Sequence, residues 1–440
     1  MFVARRFASL RCCFGGVALA ALTLGACALP ADQTEVDHGE DLESEDIGKT
    51  SSAYGISVFS INLYESALVS ALENTNGMGG YSYAILKDGW LLRSGAAGLA
   101  RRQPQIPWTE DVPFSMMGLS TTITAAMYVQ LIAERTDISL ASPVKPYLPK
   151  GWSVDPHFDS VTFRQLLSHT SGLTTNADSW EGVEKQVATN VLAPNSAMVV
   201  NGTVVPAGVG TFFYSNTNYA LGRAMMGVID GDAAGAAYAA ALGQSDEYAA
   251  MVYRGNVHDR LFAPIGLDSA KVEAAPIGDY PAGFYSANGA SSYFEPTNYS
   301  TLLLAGAGYW NLSVLSYGKF LDALVNGKYN LKTSGGETLD IWKAMTTMVN
   351  ASNSSNVGLG LVRKQTDRGN HYTQDGMWTN GSAGACARWM VYPNGLSAVW
   401  VMNSVVKDAD GVVSCPVKGS TDMMINAYDK AWTAPLASPR

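Results

Sequence analysis

Charge is scarce in this chain. Of 440 residues only 15% are Asp, Glu, Lys or Arg, and acids outnumber bases 38 to 29. A nucleic-acid partner needs a clustered basic face, and nothing here reads as one. Cysteine is scarcer still: there are five, and Cys12, Cys13 and Cys27 fall at the very start. Beside the other two, Cys386 and Cys415, no His or further Cys stands at ligand spacing, so a zinc-type site is excluded and no metal or other cofactor is expected. No repeat of fixed period is present, which excludes a solenoid array. Apolar residues are plentiful. At 47% hydrophobic over this length, the chain can bury a large core in a mixed globular fold with many turns.

Arg5, Arg6 and Arg11 precede an apolar run from Phe14 to Leu24 that ends in Leu24-Gly25-Ala26-Cys27. Residues 1–26 read as a lipoprotein signal peptide and Cys27 as the acylated first residue; an ordinary secretory signal or an uncleaved anchor are the other readings. Cleavage removes three arginines and no acid, leaving 26 Lys+Arg against 38 Asp+Glu, a net of −12. Much of that charge lies in residues 27–53, where Asp32, Glu35, Asp37, Glu40, Asp41 and Glu43 stand among few large apolar side chains. Such a segment cannot offset its ordering entropy, so it is expected to be a flexible, self-repelling tether, with partner binding by the acidic run as the other reading. The implied compartment is the bacterial cell envelope, periplasmic or surface-facing, with the membrane as partner through the lipid. Disulfides persist there, so Cys386 and Cys415 are expected to pair, two free thiols being the alternative.

In the remaining domain, residues 54–435, a helical pattern over Val58–Leu72 precedes two apolar strands around Asp88-Gly89. Ser120–Glu134 is apolar enough to be a buried helix. Helical and loop-rich sequence fills 140–350, and apolar strands return near 358–364 and 385–403 before a last helix at about 420–432. Strands at both ends around a helical block predict an α/β fold: one antiparallel sheet built from the two termini and flanked by helices, with an all-helical subdomain inserted.

Several segments carry a family resemblance in register. They are Phe114-Ser-Met-Met-Gly118-Leu-Ser-Thr121, Val161-Thr-Phe-Arg-Gln-Leu-Leu-Ser-His169-Thr-Ser-Gly-Leu173, Gly210-Thr-Phe-Phe-Tyr214-Ser-Asn216, Phe262-Ala-Pro-Ile-Gly-Leu267, Gly306-Ala-Gly-Tyr-Trp310 and Gly358-Leu-Gly360. Together they resemble the serine β-lactamases, penicillin-binding proteins and related esterases. The resemblance implies the β-lactamase/transpeptidase-like fold, with a cleft at the start of the buried helix.

In that family a serine and a lysine three residues on share one helix face, where the lysine helps deprotonate the nucleophile. Here Gly118 takes the serine's place and Thr121 the lysine's. Neighbouring Ser115 and Ser120 have no lysine at that spacing, and the matches at Ser142/Lys145, Ser316/Lys319 and Ser404/Lys407 are read as accidental. The second motif is intact: Tyr214 stands for the base or proton shuttle and Asn216 for the substrate-binding amide, although Tyr-x-Asn can equally end a loop and cap a helix. The third motif, Lys-Thr-Gly or His-x-Gly in relatives, has its best match at Thr379-Asn-Gly381-Ser; Lys332-Thr-Ser-Gly335 is a near-match read as lying in a polar loop away from strands. His169 is read as a packing histidine, and His371 and Trp378 as candidates for lining the cleft.

Three losses in one constellation, Gly118, Thr121 and Thr379, predict a catalytically degenerate member that binds or scaffolds. The expected ligand is a small molecule or peptide, such as a peptidoglycan stem peptide or another amide or ester, reached through Ser115, Ser120, Tyr214, Asn216, His371 and Trp378. The alternative is an active serine hydrolase with a rearranged nucleophile.

Overall fold

Alternation of side chains along five long strands divides the apolar residues between two cores. The computed structural model describes residues 49–52, 55–73, 79–101, 105–177, 179–200, 203–267, 284–286, 293–294, 305–308, 310–332, 336–380, 383–407, 413–415 and 422–432. Residues 1–26, where a signal segment is expected, Cys27 and Gly381 lie outside them.

The first elements are β1 (Lys49–Ser52), β2 (Gly55–Val58), α1 (Ile61–Glu73), β3 (Gly80–Lys87), β4 (Trp90–Arg101), β5 (Ile106–Pro107), β6 (Phe114–Ser115) and α2 (Ser120–Ala133). A middle block holds α3 (Phe163–Leu167), α4 (Trp180–Thr189), the hairpin β7 (Ser196–Val200) and β8 (Thr203–Ala207), then α5 (Thr217–Ile229), α6 (Ala233–Ala241) and α7 (Ser245–Val257). Next come β9 (Phe284–Ser286), β10 (Tyr293–Phe294), β11 (Asn311–Leu312), α8 (Val314–Val325), β12 (Leu331–Lys332), β13 (Thr338–Leu339) and α9 (Ile341–Thr346). The chain closes with β14 (Val349–Ala351), β15 (Ser354–Val357), β16 (Val362–Thr366), β17 (Gly369–Asn380), β18 (Ala383–Val391), β19 (Ser397–Met402), β20 (Val406–Lys407), β21 (Val413–Ser414) and α10 (Met423–Lys430).

The main sheet runs β14-β15-β16-β17-β18-β19-β3-β4-β5, every neighbouring pair antiparallel, so C-terminal strands pair directly with the N-terminal hairpin. That hairpin turns at Asp88 (φ 53°) and Gly89 (φ 90°), the left-handed pair a two-residue loop requires. Successive residues of a strand face opposite ways. On β19, Val399 and Val401 enter the larger core with α2 and the middle helices, while Ala398, Trp400 and Met402 enter a second core with α1 and α10.

Helix α2 is buried on every side from Ser120 to Ile132. Its hydroxyls are therefore all committed: Thr122 donates to the Gly360 carbonyl (2.8 Å) and accepts from Trp389 Nε1 (3.1 Å), and Thr124 donates to the Gly306 carbonyl (2.7 Å). Gly360, left-handed at φ 67°, lies so close to α2 that a Cβ would meet Ala125 at 2.7 Å and the Thr121 carbonyl at 2.8 Å.

Three boundaries differ from expectation. Lys49–Ser52 pairs with Gly55–Val58, so the end of the expected tether (27–53) is drawn into a hairpin by backbone pairing that composition does not report. Helix α1 begins at Ile61 because Ser60 caps it, its hydroxyl accepting the Leu63 N–H at 3.4 Å. Lys332 lies in a two-residue strand paired with Thr338–Leu339 rather than in open loop. Cys386 and Cys415 form a disulfide, their Cα atoms 5.7 Å apart.

Candidate active site

The turn before α2 is a tight 3-10 segment, Met117–Leu119. Met117 carries a left-handed backbone, φ 45°, a conformation rare for a long side chain. It is held because β6 pairs with β11 and the Met116 N–H bonds the Trp310 carbonyl at 2.7 Å. Gly118 follows, outside the left-handed region. What makes it glycine is space: a Cβ there would collide with the Asp375 carbonyl oxygen and stand 3.2 Å from Tyr214 Oη and 3.3 Å from Gly376 Cα. The reciprocal holds for Gly376, where a Cβ would stand 2.9 Å from the Met116 carbonyl oxygen and 3.0 Å from the Gly118 nitrogen. Turn and strand β17 therefore meet backbone to backbone, through a glycine on each side.

Tyr214 reaches this contact from a loop stitched to the His169 turn. Phe213 N–H bonds the His169 carbonyl (2.9 Å), Gly210 N–H the Thr170 carbonyl (2.8 Å), and Ser215 N–H bonds His169 Nδ1 (3.2 Å). The capping box of Thr162 and Gln165 starts α3 just upstream and fixes where that turn begins. His169 is buried, left-handed (φ 55°) and packed against Tyr214, with ring centroids 4.4 Å apart and planes tilted by 34°. Burial pushes its pKa down to about 3 against the backbone bond from Ser215, so the ring is neutral and accepts at Nδ1. Tyr214 is 38% exposed overall, yet its hydroxyl points inward; burial, then the Asp375 carboxylate, push the phenol up to about 12. A protonated phenol donates a hydrogen bond well and is a poor base.

The other expected residues are distributed around this contact. Thr121 folds its hydroxyl back onto the Gly118 carbonyl at 2.7 Å, a bond internal to the turn. Ser120 is fully buried and accepts the Trp310 N–H at 3.3 Å, and Ser115 accepts the Met117 N–H at 3.4 Å; no hydrogen bond among the described residues joins either serine to Tyr214. Asn216 starts α5 with its carbonyl, its N–H bonds Asn176 Oδ1 at 2.8 Å, and its side chain makes no capping bond. Ser142 bonds Ser139, Lys145 pairs with Asp159 at 2.7 Å, and Ser404 accepts the Gly79 N–H at 2.6 Å, so these two of the three accidental serine-lysine spacings hold loops together.

The strand residues facing Gly118 are Asp375 and Gly376, not Thr379, which pairs with Gly384 three residues further on, about 10 Å along the strand. By alternation Gln374, buried at 7% exposure, shares the Gly376 face, as does the partly buried Trp378. His371 does not line the cleft. It lies on the opposite face in the second core, fully buried, with Nε2 2.9 Å from Thr366 Oγ1 and its ring against Tyr392 and Tyr428. A glycine inside a strand pattern signals close backbone approach, and Gly376 was that signal in the sequence. Behind it, the Asp375 carboxylate is held in a fork by Arg388, which also binds Asp422 on the far side; Lys364 completes the network 2.6 Å from Asp422. Among the described residues no three His, Cys, Asp or Glu gather as a metal set.

A family model described as Beta-lactamase matches residues 66–414. Esterase EstB of Burkholderia gladioli is 34% identical over 91 residues, which is 20% of this chain and 23% of the esterase, so the match spans under a quarter of that relative's length. Among solved structures, a D-stereospecific amidohydrolase from Streptomyces sp. superposes with a TM-score of 0.57 at 20% identity, over 83% of this chain and 98% of that one. The D-amino acid amidase from Ochrobactrum anthropi SV3 gives 0.57 at 18%, over 84% and 96%. The octameric penicillin-binding protein homologue from Pyrococcus abyssi gives 0.54 at 18%, over 81% and 78%. At such identities the structures speak for the fold, an antiparallel sheet flanked by helices.

Proposed function

The chain belongs to the β-lactamase family, and from that premise we propose that it is a member without covalent catalysis, acting as a binding or scaffolding module of the bacterial cell envelope. The observation that carries this reading is the contact at Gly118: the side-chain position where the family's nucleophile stands is taken up by the Asp375 carbonyl. Loss of the lysine supports it, since Thr121 is hydrogen-bonded within the turn and the phenol of Tyr214, with no cation beside it in that motif, stays protonated. Ser115 and Ser120, the two hydroxyls that a rearranged mechanism would recruit, are engaged with backbone groups instead.

The polar groups that outlast the chemistry define the ligand class. Tyr214 donates beside the Gly118 turn, and the Asn216 amide, two residues on at the start of α5, both donates and accepts, a pair that suits an amide or ester carbonyl bound without attack. The names of the structural neighbours, amidases and a penicillin-binding protein homologue, favour peptides carrying D-residues, such as peptidoglycan stem peptides. Lipidation at Cys27 would hold the domain at the membrane through its acidic segment.

The test is labelling of the mature protein with a fluorescent penicillin and a fluorophosphonate probe, alongside calorimetric titration with stem peptides. Neither probe should leave a covalent adduct, and nitrocefin turnover should stay at background, because losing the nucleophile of such a constellation costs about a millionfold in rate. A stable acyl adduct mapped to Ser115 or Ser120 would sink the proposal.

A further inference from the structure

A cavity of about 700 Å³ opens in the helical block, and neither Gly118 nor Tyr214 lines it. Its walls come from α4, α5, α6, the start of α7 and the turn at Gly151. Tyr214 precedes α5 and the cavity borders that helix from its middle, Ala224, to its end, so the two places are separated by about half of a helix roughly 20 Å long.

Helical spacing explains why the space exists. On α6, Ala233, Ala236, Ala237 and Ala240 recur at one-face intervals and leave a wall with no side chain beyond a methyl. Gly227 on α5 and Gly231 just past its end carry no side chain at all, and the Tyr248 side chain sits over them: Cβ atoms there would come 3.3 Å from its ring and 2.9 Å from its hydroxyl. Opposite stands an aromatic corner. Trp152 and Trp180 pack edge to face, centroids 5.0 Å apart and planes at 73°. Trp180 and Glu184 are four residues apart on α4, hence on one face, and both line the cavity, as does Lys150.

Those two charges are of opposite sign, and among the described residues neither side chain is ion-paired or hydrogen-bonded. An apolar chamber of drug-sized volume with convergent polar groups is what a small-ligand site requires. We propose that this cavity binds a short zwitterionic peptide with an aromatic or large aliphatic side chain. The apolar group occupies the tryptophan corner against the alanine wall, the terminal ammonium meets Glu184, and the terminal carboxylate meets Lys150. The site is separate from the Gly118 cleft and does not depend on the function proposed for that cleft.

The probes are the dipeptide phenylalanyl-alanine and its N-acetylated, C-amidated form, titrated by calorimetry and by tryptophan fluorescence into the mature protein. Saturable binding of the free dipeptide is expected, weakened about tenfold in the capped form and about tenfold by either Glu184→Gln or Lys150→Met. Ala237→Phe, which projects a ring into the chamber from an exposed helix, should abolish binding while circular dichroism and melting temperature stay unchanged. Absence of saturable binding at millimolar peptide, or equal affinity for the capped form, overturns the proposal. So does binding undiminished in Ala237→Phe, since the peptide would then be seated elsewhere, at the Gly118 cleft.

Discussion

The carbonyl oxygen of Asp375 occupies the space into which a side chain at residue 118 would project. Introducing a serine at residue 118 is therefore a steric problem before it is a chemical one. Strand β17 is held on its other face by the fork between Asp375 and Arg388, so it cannot yield cheaply.

Gly118→Ser, alone or with Thr121→Lys, should lose on the order of 1–3 kcal/mol of stability through overpacking and gain little activity. The strand would have to shift, and misplacement of reacting groups by about 1 Å costs roughly a hundredfold in rate. Thermal melting and p-nitrophenyl butyrate hydrolysis measure both. A double variant as stable as wild type with active-site-titratable esterase activity would contradict this.

Asp422 makes a pH-dependent contribution to stability. Burial, which alone would raise its pKa, is outweighed by Arg388 and Lys364, and the carboxyl lies below its ordinary value of 3.8. A depressed carboxylate contributes stability that is present above the unfolded pKa and lost as pH falls through the folded one. Asp422→Asn keeps a side chain able to cap α10 but removes the charge, so it should cost about 3 kcal/mol at neutral pH. The gap from wild type should narrow only below about pH 4. Denaturant midpoints measured across that range decide it, and a gap independent of pH would remove the carboxylate from the account.

The Cys386–Cys415 bridge spans a sequence separation of 29 and ties the segment after β19 back to β18, with Cys415 Sγ 3.8 Å from the Gly376 carbonyl. Closing such a loop contributes roughly 3 to 4 kcal/mol in the chain-entropy model. Cys386→Ser/Cys415→Ser should lower the urea midpoint correspondingly, and reduction should reproduce the effect in the native protein. Two free thiols by alkylation of the unreduced protein would exclude the bridge.

Membrane association should require the Cys27 thiol. Cys27→Ala should release the protein from the membrane fraction and slow its processing, as read by fractionation and intact mass. Unchanged fractionation and mobility would reject lipid anchoring.

The amino-acid pattern by itself determined the scaffold. A helix apolar enough to be buried, a hairpin with Asp88-Gly89 and alternating strands at both ends leave few ways to bury their faces, so sheet and buried helix were legible before any coordinate, whereas the insert expected to be all-helical also carries the β7–β8 hairpin. The pairing of residues 118 and 121 was readable too, since a three-residue spacing puts two positions on one helix face. Periodicity cannot say which stretch of a long strand lies against a distant turn. That is a matter of register between segments more than 250 residues apart, and it placed Asp375 and Gly376 at the site, put Thr379 further along the strand and turned His371 into the opposite core. The strand's docking depth also decided why residue 118 is glycine: the backbone of β17 fills the space, which no local rule about φ or helix propensity foretells.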